Sequence, residues 1–146
     1  MRILVTGTAG FIGAALAGRL LARGDEVYGL DNHNDYYDPA LKDARLALFA
    51  GHAGYTHLRG DLADGRVLQR AFADFSPQRV VNLAAQAGVR HSLKNPAAYV
   101  QSNLVGFANV LEACRHAQVG HLVYASSSSV YGGNTRLPFA VGDAVD

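Results

Sequence analysis

The 146 residues contain a single cysteine, Cys114, so no internal disulfide can form. Cys114 falls within a helical apolar pattern and reads as a buried, inert thiol. Charge of neither sign is in excess: 13 Lys and Arg stand against 12 Asp and Glu, a net charge of +1 with no basic block. That balance gives no electrostatic reason to expect nucleic acid or an anionic membrane as partner. The uncharged run Ile3 to Gly18, which follows Arg2, resembles a secretory signal only superficially. Its 16 residues fall short of the roughly 20 needed to span a bilayer, and four glycines and two threonines interrupt it. The expectation is a soluble, cytoplasmic chain. The six histidines, His33, His52, His57, His91, His116 and His121, show no metal-ligand spacing. They read as surface or loop residues, and no metal site is expected. Among the carboxylates no paired acid–base site stands out. No internal repeat is visible, and the serines of 126–129 form the only low-complexity run.

What is present is the makeup of one globular domain, 49% hydrophobic and 17% charged. Apolar runs and helical patterns alternate. Strands are predicted over 2–6 (RILVT), 26–31 (EVYGLD), 55–61 (YTHLRGD), 79–85 (RVVNLAA) and 121–127 (HLVYASS). A helix over 11–23 carries Phe11, Ile12, Ala15, Leu16 and Leu20 on one face. A helix over 38–49 opens with Asp38 as N-cap and Pro39 at the first helical position. A third, over 64–75, follows an Asp64 cap and shows Val67, Leu68, Ala71, Phe72 and Phe75. A long helix over 97–117 aligns Val100, Leu104, Phe107, Leu111 and Cys114. Strands alternating with helices imply an α/β fold with parallel pairing: a Rossmann-type doubly wound sheet of order 3-2-1-4-5, its ligands outside the carboxyl ends of the strands.

The segment LVTGTAGFIG, Leu4 to Gly13, places Gly7, Gly10 and Gly13 at three-residue spacing between a strand and a helix. Gly7 permits a tight turn, Gly10 lets the backbone approach a pyrophosphate, and Gly13 lets the helix pack close to the strand. The helix N-terminus offers unpaired N–H groups and a positive dipole end to phosphate. Asp31 ends the second strand 24 residues after Gly7. A carboxylate there accepts hydrogen bonds from ribose hydroxyls and repels a 2′-phosphate. No arginine follows it in DNHNDYYD, so NAD is expected as cofactor in preference to NADP.

The motifs TGTAGFIG, LDN, GDL, NLAAQAGVR and YASSSSVYG, in this order and covering essentially the whole chain, resemble the extended short-chain dehydrogenase/reductases that act on nucleotide sugars. DNHNDYYD, AAQAGVRHSLKNPAAYVQSN and NVLEACRHAQVGHLVYASSSSVYG look closest to the UDP-glucuronate 4-epimerases. The resemblance implies NAD as cofactor, a UDP-sugar as substrate and a homodimer for the full-length family member. It assigns the backbone of Phe11 and Ile12 to the pyrophosphate, Asp31 and Asn32 to the ribose, and Asp61 and Leu62 to the adenine edge. Leu83, Ala84, Ala85 and Gln86 match the strand end that lines the cofactor. Asn103, about 100° off the apolar row of its helix, matches a polar residue that reaches the cofactor side. Ser127 aligns best with the family's substrate-binding hydroxyl, with Ser128 and Ser129 as further candidates. Arg90 and Ser92 could meet the substrate, and a solvated loop explains them equally well.

The chemistry that the resemblance implies is reversible oxidation at the sugar C4 through a 4-keto sugar, with a tyrosine as base whose pKa a lysine four residues later lowers. None of the seven tyrosines has a lysine at that spacing. The family's Tyr-x-x-x-Lys pair would fall shortly after Asp146. The expectation is therefore an N-terminal, cofactor-binding part, its sheet incomplete on the C-terminal side and the substrate domain absent. By itself it holds NAD without turning over. An apolar strand region left uncovered also predicts self-association. A UDP-sugar decarboxylase or dehydratase shares these N-terminal motifs, and a short NAD-binding sensor protein would explain the missing pair.

Overall fold

A computed structural model describes residues 1–145. The chain runs β1 (Arg2–Thr6), α1 (Phe11–Ala22), β2 (Glu26–Asp31), α2 (Pro39–Ala47), β3 (Tyr55–Arg59), α3 (Gly65–Phe75) and β4 (Arg79–Asn82). Two single turns, α4 (Val89–Ser92) and α5 (Pro96–Tyr99), lead through a π-helical stretch at Val100–Val105 into α6 (Gly106–His116). β5 (His121–Tyr124) and a 3-10 turn at Ser128–Tyr131 follow. All neighbouring strands are parallel, in the order β3-β2-β1-β4-β5. This is the doubly wound sheet that the alternating pattern predicts.

The strands are apolar on both faces because helices cover both faces, as parallel sheets require. Leu4 of β1 points to one side with Tyr28, Leu30 and Val80, against Leu68, Ala71 and Phe72 of α3 and Val110 of α6. Ile3 and Val5 point to the other, with Val27, against Ala14, Ala17, Leu20 and Leu21 of α1. Fully burying a side chain such as Leu4 contributes roughly 1.5–3 kcal/mol. The helix starts follow the sequence: Asp38 Oδ1 accepts from Ala40 N at 2.9 Å, and Asp64 Oδ1 from Arg66 N at 3.0 Å.

Three local features differ from the sequence expectation. The buried side of α1 is Gly13, Ala14, Ala17, Leu20 and Leu21, while Phe11 and Ile12 are 78% and 65% exposed. Small residues let the helix lie close to the sheet, and the two large ones stand clear at its first turn. The long helix is not uniform either. Its π-helical stretch shifts the face that follows, so Gly106 and Val110 are buried whereas Val100, Leu104 and Leu111 are exposed. Finally, β4 stops at Asn82 and β5 at Tyr124, several residues early. Thr6 explains the first: its hydroxyl donates to Asn82 Oδ1 at 2.7 Å and accepts from the N–H groups of Leu83 and Ala84, each at 3.1 Å. These side-chain bonds replace the ladder, and residues 83–87 leave the sheet.

Candidate functional site

The strand order reverses at β1: the chain passes to β2 on one side and later to β4 on the other. At that divergence, outside the carboxyl ends of the strands, lies a cleft of about 350 Å³. This is the position at which doubly wound sheets collect ligands, and its volume lies in the range of small-molecule sites.

Its floor is the glycine turn. Gly7 has φ +76°, and a Cβ there would stand 2.8 Å from Ala84 N. A Cβ on Gly13 would fall 2.0 Å from the carbonyl oxygen of Gly7, so the helix can approach only without a side chain. Gly10, the N-cap of α1, caps nothing with a side chain, and the first turn holds no acidic residue. The N–H groups of that turn have no intrahelical acceptor, leaving donors and the positive end of the helix dipole for an anion. Gly10 and Phe11 line the cleft. Ile12 stands exposed, and Gly13 is buried beneath the turn.

One wall is the tip of β2. Asp31 is buried, with Oδ2 accepting from Ala9 N at 3.1 Å and Oδ1 from His33 N at 2.9 Å. Asn32 donates through Nδ2 to Asp61 Oδ2 at 2.9 Å, tying the ends of β2 and β3 together. Leu62 closes that end of the cleft. The opposite wall is Leu83, Ala84, Ala85 and Gln86. Asn103 does not line the cleft; it grips the main chain of Gln86, accepting from its N–H at 2.8 Å and donating to its carbonyl at 3.0 Å. The π-helical stretch carries this asparagine, and π-bulges recur at functional sites.

Besides Ile12, Gly13 and Asn103, four expected site residues lie apart from the cleft lining. Ser127 and Ser128 are exposed after β5, and Ser127 Oγ accepts from Ser129 N at 3.3 Å. Arg90 is exposed on α4, and Ser92 donates from Oγ to the carbonyl of Val89 at 2.6 Å. Cys114 is half-buried, and burial pushes its thiol up to about 11, which keeps it protonated and unreactive near neutrality.

Sequence reasoning overlooked the contribution of α2 and of the loop before it. Asn34, Tyr36, Tyr37, Lys42 and Arg45 all line the cleft, as does Ser102. The cations lie beyond DNHNDYYD in α2, which folds back so that Lys42 stands 3.8 Å from Asp31 Oδ1 at the β2 tip, while Arg45, three residues on, donates to the carbonyl of Ala9 at 3.2 Å beside the glycine turn. That spacing was the available signal. In the sequence His33 and His57 read as surface or loop residues; His33 does lie in the loop after β2, whereas His57 stands within β3. Both are part-buried, with Nε2 atoms 2.9 Å apart and rings tilted at 56°. Among the described residues no cluster of His, Cys, Asp or Glu could hold a metal, and no helix is long and apolar enough to cross a membrane.

A family model described as the NAD dependent epimerase/dehydratase family matches residues 3–144. The chain belongs to that family. It is 51% identical over its whole length to Protein CapI of Staphylococcus aureus, of which it spans 43%, and 50% identical over 145 residues to UDP-glucuronate 4-epimerase 3 of Arabidopsis thaliana, of which it spans 34%. Among solved structures, the Thermus thermophilus UDP-glucose 4-epimerase in complex with NAD matches with a TM-score of 0.78 and 39% identity, over 96% of this chain and 42% of that one. Bordetella bronchiseptica WbmG in complex with NAD and UDP matches with a TM-score of 0.82 and 28% identity, over 100% and 44% of the two chains. The family member described here thus spans less than half the length of these relatives.

Proposed function

We propose that this chain is the cofactor-binding part of an NAD-dependent nucleotide-sugar 4-epimerase acting on UDP-glucuronate. The observation that carries the proposal is the convergence of an uncapped helix N-terminus, a side-chain-free glycine turn and the Asp31 carboxylate on one cleft at the strand switch point. The likeness to relatives named as UDP-glucuronate 4-epimerases supports the choice of sugar.

The residues fit the cofactor. A diphosphate needs donors and room for close approach, which Gly7, Gly10 and the N–H groups of the first turn of α1 provide. Asp31 and Asn32 suit the adenosine ribose, since each oxygen of Asp31 accepts one main-chain N–H and retains capacity for a further bond. Asp61 and Leu62 would border the adenine. The small side chains of Ala84 and Ala85 leave space for a flat ring beside Leu83 and Gln86. NAD, when bound, supplies the hydride acceptor for reversible oxidation at the sugar C4. Ser127 and Ser128 are the hydroxyls offered to the sugar: Ser127 accepts from Ser129 N and so keeps its own proton to donate. Arg90 and Ser92, on the single turn α4 beyond β4, are assigned to the substrate.

No tyrosine in 1–146 precedes a lysine by four residues, so these residues do not supply the Tyr-x-x-x-Lys pair that the resemblance implies as general base. Losing a general base costs about 10²–10⁴-fold. The chain alone is expected to bind NAD without converting a UDP-sugar.

Titration of NAD into the chain and into its Asp31→Ala and Gly10→Val variants tests the assignment. Removal of a charged hydrogen-bond partner, or a branched side chain projecting into the cleft, should weaken binding about 10–100-fold. Equal affinity in all three proteins would remove the cofactor from this cleft.

A further inference from the structure

Two cations of α2 reach the cleft, and their surroundings differ. Lys42 is almost wholly buried. Its Nζ donates to Asn34 Oδ1 at 2.8 Å and stands 3.8 Å from Asp31 Oδ1, so its charge is balanced within the protein. Arg45 is half-buried and has no carboxylate within ion-pair distance among the described residues. Its Nη1 donates to the carbonyl of Ala9 at 3.2 Å and to the hydroxyl of Tyr37 at 2.9 Å, and its guanidinium lies over the Tyr37 ring at 5.6 Å.

A guanidinium carries five N–H donors. The two bonds made by Nη1 leave those of Nε and Nη2 without a partner among the described residues. Ala9 immediately precedes Gly10, the N-cap of α1. An uncompensated positive charge is therefore held against the turn whose open N–H groups face the cleft. Tyr37 holds the guanidinium in one orientation, which lowers the entropy lost when it meets a ligand.

We infer that Arg45 is a further cofactor-binding residue: it supplies the full positive charge that the diphosphate of NAD meets beside the N-terminus of α1. This rests on the reading of the cleft as an NAD site and adds a charged partner to it. Main-chain N–H groups and a helix dipole offer only partial charges, whereas an arginine forms charge-assisted, paired hydrogen bonds to phosphate oxygens. Tyr37 acts through Arg45 as a positioning residue.

The test is equilibrium binding of NAD, ADP-ribose, adenosine and NADP to the chain and to Arg45→Met, Arg45→Gln and Arg45→Lys. Arg45→Gln retains a donor for the Ala9 carbonyl without the charge, and so separates charge from bracing. The neutral variants should bind NAD and ADP-ribose about 10–100-fold more weakly. They should bind adenosine unchanged and show a flatter dependence of NAD affinity on salt. Arg45→Lys should recover part of the loss. Unchanged NAD affinity in the neutral variants would overturn the inference and leave the NAD site standing. An equal loss for adenosine would overturn it by making Arg45 a brace for the loop. A larger loss for NADP than for NAD would overturn it by placing the charge at the ribose. Failure of the unmodified chain to bind NAD or ADP-ribose would overturn both readings.

Discussion

The Nε2 atoms of His33 and His57 stand 2.9 Å apart, so one ring donates and the other accepts, and two protonated rings cannot share this contact. His33 reaches the position through a left-handed backbone, φ +54°, at the loop that follows Asp31. Its Nδ1 lies 3.6 Å from Asp43 Oδ1, and Nδ1 of His57 lies 3.3 Å from the Tyr55 hydroxyl. The pair thus links β3 to the rim of the cleft.

Acid should loosen that link. Burial lowers the pKa of His57 from its ordinary value, the neighbouring His33 lowers it further, and Asp31 opposes both. The unfolded chain then takes up a proton near pH 6.5, where the folded chain still resists it. The contribution of His57 to stability is complete above about pH 6.5 and falls as the pH drops toward its lowered folded value. Urea melts from pH 7.5 to pH 5 should show stability declining with acidity, and His57→Gln should flatten the decline. An unchanged slope in His57→Gln would place the titration elsewhere.

Asn103 should matter through Gln86 and not by direct contact with a ligand. Asn103→Ala leaves the N–H and carbonyl of Gln86 without their partners, one buried group typically costing about 1–3 kcal/mol. Thermal melts should show the loss of stability, and NAD affinity should fall because the wall from Leu83 to Gln86 loosens. Asn103→Asp, which keeps the acceptor for the Gln86 N–H but not the donor for its carbonyl, should lie between. Full NAD affinity in a destabilised Asn103→Ala would separate the wall from the cofactor.

The uncovered side of β5 should make the chain associate with itself. Val123 and Tyr124 are 47% and 55% exposed, and among the described residues β5 pairs only with β4. An open edge beside exposed apolar side chains invites pairing. Sedimentation velocity should show species that grow with concentration, and Val123→Lys should reduce them. A concentration-independent monomer would contradict the expectation.

The strand order was legible because it follows from local patterns: five apolar runs separated by helical periods leave few ways to wind a sheet. The glycine turn and Asp31 were legible for the same reason, since turn, helix start and strand tip are close in sequence. The inner face of α1 was misread because periodicity weights large side chains, whereas Gly13, Ala14 and Ala17 bury by being small. The long helix concealed its π-helical stretch because one extra residue in a turn alters neither composition nor propensity. Arg45 escaped notice because its place depends on how α2 folds back, a non-local fact. Asn103 was legible only as a polar residue off the apolar row; its bidentate hold on Gln86 needed coordinates.

The hydroxyl of Thr6 has one proton and two lone pairs, and all three are spent on Asn82, Leu83 and Ala84. The point where the two central strands part is consequently chemically silent. Thr6 therefore competes for no polar group of whatever lies above it, so orientation there falls to the glycine turn and the walls, and selectivity can be retuned at the rims without disturbing the seam on which the sheet divides.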